Sequence, residues 1–499
     1  MDRAKEPPFR LFNPRVLPLF AGALIFGIFC VILNVWIAAS LLGVAILLLF
    51  VAFKTKNLRR GVVIALCLAL LGGFGLARVT LYCRNEVGPT GYATVTCRVI
   101  EVAETTDGYA VTADSLMVDG TRRFGKITFE IDKAVAIGDR MALNGEVSIR
   151  TLSLDTISDA LQYRKGAKYA IDVYSSAATS GTPPLRHTIR EKVRSALISA
   201  QGERAGAFSY AMLFGDAEFM EDSDRSAMRE VGVAHVVAVS GLHVGVLAAA
   251  LLFLLKKLRL KDGACLAILL PIFGFYAYLA DFAPSVLRAS IMVSVSLAAS
   301  AIGERYDDVS ALSFAAILIL LIKPLYLFDL SFLMSFLAIL GIQSLGRPLE
   351  RIFLRHKVPG RLASGLALSA ATTIALIPVS ALVFNRIAFV GFLLNIVVVP
   401  LASIALVLNL AALLPTLVFP AFGAVLSLFG YLPLMIAELS GAVAALGLKT
   451  NYDFAVTEIV LYYATILFVS KYSLAKRTVK LVVAGVAFGV LIILLFAAS

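Results

Sequence analysis

Two histidines stand eight residues apart in His235-Val-Val-Ala-Val-Ser-Gly-Leu-His-Val-Gly245, half of the four that the chain contains. Ser240 and Gly241 lie between them and Gly245 follows, in a run from Val231 to Leu255 that is otherwise apolar. On a straight helix, eight positions separate two side chains by about 80°, so both imidazoles would face one broad side. Three chemistries are open to such a set. Zinc ligation is poorly served, because no Cys or acid stands nearby at ligand spacing. Hydrogen bonding to a neighbouring helix is the plain structural role. Lining a polar passage is the third, since an imidazole inside hydrocarbon is costly unless it faces a protein interior or water. Gly241 and Gly245 have the GxxxG spacing that lets a second backbone approach closely.

Three further polar sets interrupt apolar runs. In Asp281-Phe-Ala-Pro-Ser285, the residues Asp281 and Ser285 suit the capping of a helix that begins near Pro284. Arg288 lies one turn inside that helix and needs a partner or water. In Asp329-Leu-Ser-Phe-Leu-Met-Ser335, the residues Ser331 and Ser335 share a helix face; bonding back to their own helix is the structural alternative. Asn395 stands in mid-run, ahead of Pro400.

These residues must be held by membrane helices. The chain has 499 residues, 60% hydrophobic and 16% charged, where a soluble protein carries about 25% charged residues. Its mean hydropathy is +0.89. The reading is a polytopic α-helical membrane protein of about 11–13 transmembrane helices, with an inserted small β-barrel. The net charge of +12 gathers in short loops such as 54–60, 256–261 and 347–361. There it sets orientation by the positive-inside rule, so basicity alone is weak evidence for nucleic acid. Four regions are expected: three N-terminal spans over 1–82, an extracytoplasmic domain over 83–184, amphipathic and charged linker helices over 185–232, and a multi-span domain over 233–499. The N-terminal run from Val16 to Leu33 reads as a retained helix, since no small-residue cleavage site ends it. Pro400 is a place where the run 388–414 would break into a re-entrant pair.

Over 83–184 the apolar pattern shortens to alternation. Five strands are expected, at 94–102, 109–118, 126–131, 139–149 and 168–174, with a helical piece before the last. That is the pattern of an OB-like barrel. Arg122, Arg123, Arg164, Lys165 and Lys168 are its candidates for contact with a single nucleic-acid strand; a slight excess of acids supports a pure scaffold equally well. Cys83 and Cys97 flank the start of the segment, and a disulfide between them is open if it faces an oxidising space. The amphipathic stretch Leu185–Ala200 suits either a membrane surface or a solvated helix.

The four polar sets, taken with Leu213-Phe-Gly-Asp216 and Tyr163-Arg-Lys-Gly166, resemble the ComEC-type competence proteins, membrane channels for DNA uptake in natural transformation. The carrying segments are 213–216, 235–245, Pro284-Ser-Val-Leu-Arg-Ala289, Asp329-Leu-Ser-Phe-Leu-Met-Ser-Phe336 and the stretch from Asn385 to Pro400, in that order. The resemblance implies passage of single-stranded DNA across a bacterial inner membrane and no cofactor, and the basic loops 54–60 and 256–261 place residues 83–232 outside the cytoplasm. It makes His235, Ser240, His243, Arg288, Ser331, Ser335 and Asn395 the wall of the path. Many members carry a C-terminal metallo-β-lactamase-like domain. Here an apolar run ends at Ser499 and the remaining histidines are His187 and His356, so a separate nuclease is expected. A DNA receptor and a translocase are expected as further partners, since no Walker-type loop appears. Two rival classes stay open. An intramembrane hydrolase would use His235 or His243 as base, oriented by Asp281, but shows no clear nucleophile–base pair. A small-anion secondary transporter would use Arg288, but shows no internal repeat.

Overall fold

The computed structural model describes residues 16–29, 72, 91–105, 108–123, 125–149, 167–384, 390–447 and 456–469. It divides into two compact units, residues 1–191 with 316–329 and residues 192–315 with 330–499.

The first unit holds helix α1 (Val16–Phe29) and six strands: β1 (Gly91–Thr105), β2 (Gly108–Val118), β3 (Thr121–Arg122), β4 (Lys126–Ile131), β5 (Arg140–Ile149) and β6 (Ala167–Thr179). Alternation decides their faces. Ala93, Val95, Cys97 and Val99 of β1 point inward, as do Val111, Ala113, Ile127, Phe129, Leu143 and Ile171 from the other strands. The sheet order is β1-β5-β6-β4-β2-β3, and a β1–β2 pairing closes it. The β4–β6 pair is parallel, and the other pairs are antiparallel. This closed five-stranded barrel, with β3 as a two-residue edge, is the OB-like arrangement expected. The helical piece around 158–163 lies outside the described residues. So does Cys83. Cys97 is a free thiol, 4% exposed in the barrel core. The thiol faces the packed interior. Burial first, and then the nearby Asp114 charge, push its pKa up to about 12.

The rest of the described chain is helical and makes up the second unit, apart from residues 185–191 and 316–329, which belong to the first. Helix α2 (Leu185–Gln201) leads into α3 (Glu203–Phe214), α4 (Asp222–Glu230), a 3₁₀ turn (Ala234–Val236), α5 (Gly241–Lys257), α6 (Asp262–Leu279), α7 (Pro284–Ala301) and α8 (Asp308–Ile322). Next come α9 (Leu330–Gly341), a π segment (Ile342–Gly346), α10 (Arg347–Arg355), α11 (Gly360–Phe384), α12 (Val390–Val418), α13 (Gly423–Phe429), α14 (Tyr431–Ala444) and α15 (Val456–Val469). Among the described residues, six helical stretches are long and apolar enough to cross a bilayer: 262–279, 284–301, 330–355, 360–383, 390–418 and 420–444. The protein is a multi-pass membrane protein with an OB-like barrel.

Local chemistry explains several departures from the expected pattern. Helix α12 runs unbroken through Pro400 and Pro415, so Pro400 does not split it into a re-entrant pair. Helix α3 was expected as part of a linker, yet it is buried from Ala205 to Phe214. Polar bonds tie it down. Ser209 donates to Gln201 Oε1 at 2.8 Å, and Gln201 Nε2 donates to Asn409 Oδ1 of α12 at 2.5 Å. Arg204 donates to both oxygens of Asp224 at 2.9 Å and to Glu438 of α14 at 2.7 Å. Pro378 inside α11 cannot donate to the carbonyl four residues back, that of Ile374. Tyr462 of α15 supplies the missing donor at 2.7 Å, and Tyr463 donates to the next carbonyl, Ala375, at 3.0 Å.

Candidate functional site

The stretch from His235 to Gly245 is not one straight helix. His235 lies in the 3₁₀ turn, Ser240 is extended at φ −119° and ψ 163°, and α5 begins at Gly241. The two histidines therefore sit on either side of a break, and the 80° separation expected on a continuous helix does not apply. The break has a cause in the sequence. Ser240 is the N-cap, and His243 at the third helical position accepts the Ser240 backbone N–H at Nδ1 (3.0 Å). The Ser240 hydroxyl lies 3.1 Å from the same nitrogen. This is a capping box with histidine in the place that glutamate usually takes. Because Nδ1 accepts, a neutral His243 carries its proton on Nε2. His243 is 2% exposed, and its Nε2 has no hydrogen-bond partner among the described residues.

Four of the family segments meet around this break, and the fifth packs beside Val231, ahead of it. Gly215 closes α3 in the left-handed region at φ 73°. A Cβ there would stand 2.6 Å from the backbone nitrogen of Val239, so the glycine of 213–216 is needed for close approach as well as for backbone shape. Leu213 accepts from Tyr276 Oη of α6 at 2.9 Å. Ser285 of α7 donates to the Val239 carbonyl at 2.7 Å. Arg288, one turn further along, reaches Gly241: a Cβ on Gly241 would overlap Nη2 and lie 3.1 Å from Cζ. Its Nη1 donates to the carbonyl of Ser335 in α9 at 2.7 Å. Gly391 at the start of α12 packs against the Val231 carbonyl, which a Cβ would approach to 2.6 Å.

Some expectations are corrected at this level. The GxxxG pair divides: Gly241 is tightly packed, whereas a Cβ on Gly245 would meet open space. What approaches Gly241 is a guanidinium and the Ala289 side chain, where a second backbone was expected. Helix α7 is preceded by Ala283 as cap residue, with no side-chain capping bond; Ser285 is turned to Val239 instead. Asp281 is exposed, and Asp281 and Phe282 both have φ 53°. Two successive non-glycine residues in the left-handed region are costly and often mark functional sites. Ser331 is half-buried on α9.

Arg288 is 6% exposed. Its Nε has no partner, and among the described residues it forms no ion pair. In this helical unit, the described buried side-chain atoms without a hydrogen-bond partner are His243 Nε2, Arg288 Nε, Ser290 Oγ and Asn395 Oδ1. All four belong to, or directly adjoin, the family segments. Buried polar groups are nearly always paired, so each exception asks for a water, an ion or a ligand. Among the described residues, no three His, Cys, Asp or Glu gather at metal-binding distance.

The barrel's basic candidates are not brought together. Arg122 is exposed on β3, and two strands, β2 and β4, separate it in the sheet order from β6, which carries Lys168; Arg123 follows it, half-buried. Arg164 and Lys165 lie outside the described residues. An exposed pair that the sequence did not single out is Tyr92 with Tyr174, whose ring centroids are 6.2 Å apart at 12°.

The comparisons with known proteins agree with this convergence. A family model described as "Competence protein" matches residues 212–476, more than half of the chain. "ComE operon protein 3" of Bacillus subtilis (strain 168) is 37% identical over 126 residues, 25% of this chain and 16% of that protein. An uncharacterized protein of Aquifex aeolicus (strain VF5) is 30% identical over 159 residues, 32% of this chain and 36% of that protein. The matched stretches thus span well under two thirds of either relative's length. No solved structure matches. With a family model covering more than half of its length, the chain belongs to the competence protein family of the ComEC type.

Proposed function

We propose that this protein is a channel component in the bacterial inner membrane that passes single-stranded DNA inward during natural transformation. The observation that carries the reading is Arg288, a guanidinium buried where three family segments meet, with no carboxylate beside it among the described residues. Leaving a buried charge without its partner typically costs about 3–5 kcal/mol, so a cation kept this way is suited to an anion that comes and goes. A polyphosphate strand is such an anion and needs a wet, cation-bearing path through hydrocarbon. His243, Ser335 and Asn395 supply further polar groups along that wall, with His235, Ser240 and Ser331 beside them. In this reading, residues 83–232 lie outside the cytoplasm. The barrel guides the strand or acts as scaffold, and separate polypeptides supply the DNA receptor, nuclease and translocase.

The hydrolase reading is weakened by the capping box. The Ser240–His243 contact looks like a nucleophile–base pair, but the one lone pair of Nδ1 already receives the Ser240 N–H. A small-anion transporter shares the need for Arg288 and separates from DNA passage in flux measurements on proteoliposomes offered each substrate. The test in cells is transformation frequency in strains carrying Arg288→Gln or His243→Ala at unchanged protein level. A marked fall supports the reading, and undiminished DNA uptake in both strains removes this site from the mechanism.

A further inference from the structure

We infer that the N-terminus of α5 and the Arg288 guanidinium form a binding site for one phosphate-type oxyanion, seated on Gly241. The inference deepens the DNA-passage reading and rests on it for the identity of the natural ligand. Its first basis is helix geometry. Helix α5 has 17 residues, and the first N–H groups of a helix have no acceptor within it. Ser240 N–H is taken up by His243, which leaves the N–H groups of Gly241 and Leu242 as donors at the positive end of the helix dipole. The second basis is independent. Arg288 comes from another helix, is 94% buried by the complement of its 6% exposure, and has Nη2 against Gly241. Its Nε–H is unpartnered, and only Nη1 is engaged, by the neutral Ser335 carbonyl.

Two positive features placed together inside a protein repel each other unless something negative sits between or beside them. A carboxylate would normally do this, and among the described residues none does. A tetrahedral oxyanion fits the donors in number and kind: one oxygen for the helix N–H groups and another for the guanidinium, which binds phosphates through paired N–H bonds. Gly241 is what makes the seat. Any side chain there would occupy the position of Nη2 and separate the guanidinium from the helix end. The same chemistry is offered by a DNA phosphodiester, by free phosphate and by a lipid headgroup.

The experiment uses the full chain purified in dodecyl maltoside, free of phospholipid. Thermal stability is followed against added inorganic phosphate, oligothymidylate, uncharged methylphosphonate oligothymidylate and phosphatidylglycerol, for the native chain, Arg288→Gln and Gly241→Ala. The site predicts stabilisation of the native chain by phosphate and by oligothymidylate but not by the methylphosphonate. It predicts affinities weaker by about tenfold or more in both variants, as expected for loss of a charge-assisted bond. It also predicts that Arg288→Gln, without added anion, melts no lower than the native chain, because an uncompensated charge has been removed. A merely structural Arg288 gives the opposite: a lower melting temperature in Arg288→Gln and no dependence on phosphate in either protein. That outcome overturns the site. Stabilisation by phosphatidylglycerol that oligothymidylate fails to match assigns the site to a lipid headgroup; the site then stands and the DNA reading loses it. If Arg288→Gln abolishes transformation while phosphate never binds, the site is overturned and the passage reading survives.

Discussion

The seat at Gly241 makes a prediction in which two glycines of one helix behave oppositely. In Gly241→Ala, the new Cβ overlaps Arg288 Nη2 and comes to 3.1 Å from Cζ and 3.4 Å from Ala289 Cβ. The guanidinium must swing away. It is buried, and its movement breaks the 2.7 Å bond to Ser335, a bond from a charged donor of the kind that contributes about 1.5–3 kcal/mol. Alanine over glycine in a helix returns at most about 1 kcal/mol. The net cost is about 0.5–3 kcal/mol. In Gly245→Ala nothing lies within 4 Å of the new Cβ, so the substitution is neutral or gains up to about 1 kcal/mol. The assay is loss of the monodisperse peak on size-exclusion chromatography after heating, for both variants and the native chain in one detergent. A Gly241→Ala variant as stable as Gly245→Ala would refute the placement of Arg288 against α5.

Other consequences follow from single contacts. Tyr462→Phe should destabilise the native fold by about 1–3 kcal/mol, since it leaves the Ile374 carbonyl without a donor. The same change should cost less in a Pro378→Ala background, where the helix N–H is restored; a double-mutant cycle with coupling below about 0.5 kcal/mol would show that the two are independent. Cys97 should resist maleimide in the folded barrel at pH 8 and react on unfolding; rapid labelling of the folded state would contradict its burial. With a thiol pKa pushed up to about 12 by folding, its contribution to stability is complete below the unfolded value near 9 and declines as pH rises from there toward 12. Denaturation midpoints of Cys97→Ser and the native chain should therefore converge above pH 9.

The parts of this fold that follow a period were legible in the sequence. Alternation gives the barrel strands, because each inward residue from Ala93 to Val99 has to meet the core. Apolar length gives the membrane helices. The break at Ser240 was hidden because a 3₁₀ turn and an N-cap leave no mark on hydropathy. A signal was present all the same, in Ser240 followed three residues later by His243, a capping box with an unusual third position. Capping by Asp281 was expected from residue type, but the chain reaches α7 through two left-handed residues and uses no side-chain cap. Gly241 and Gly245 have identical spacing in sequence, and only the third dimension shows which one is filled. The Tyr462 bond to the carbonyl freed by Pro378 and the Gln201–Asn409 bond join residues 88 and 208 positions apart, beyond the reach of any local pattern.

The claim that the family segments wall a path for DNA is tested most directly by photo-crosslinking during uptake. A crosslinking amino acid is placed at Ser331 or Ser335 of α9 and, as control, at Phe253, which is 69% exposed on α5. Cells then take up end-labelled DNA and are illuminated. The account predicts labelled adducts from positions 331 and 335, sensitive to nuclease that cuts single strands, and none from position 253. Equal labelling from all three, or no labelling from α9, would contradict it.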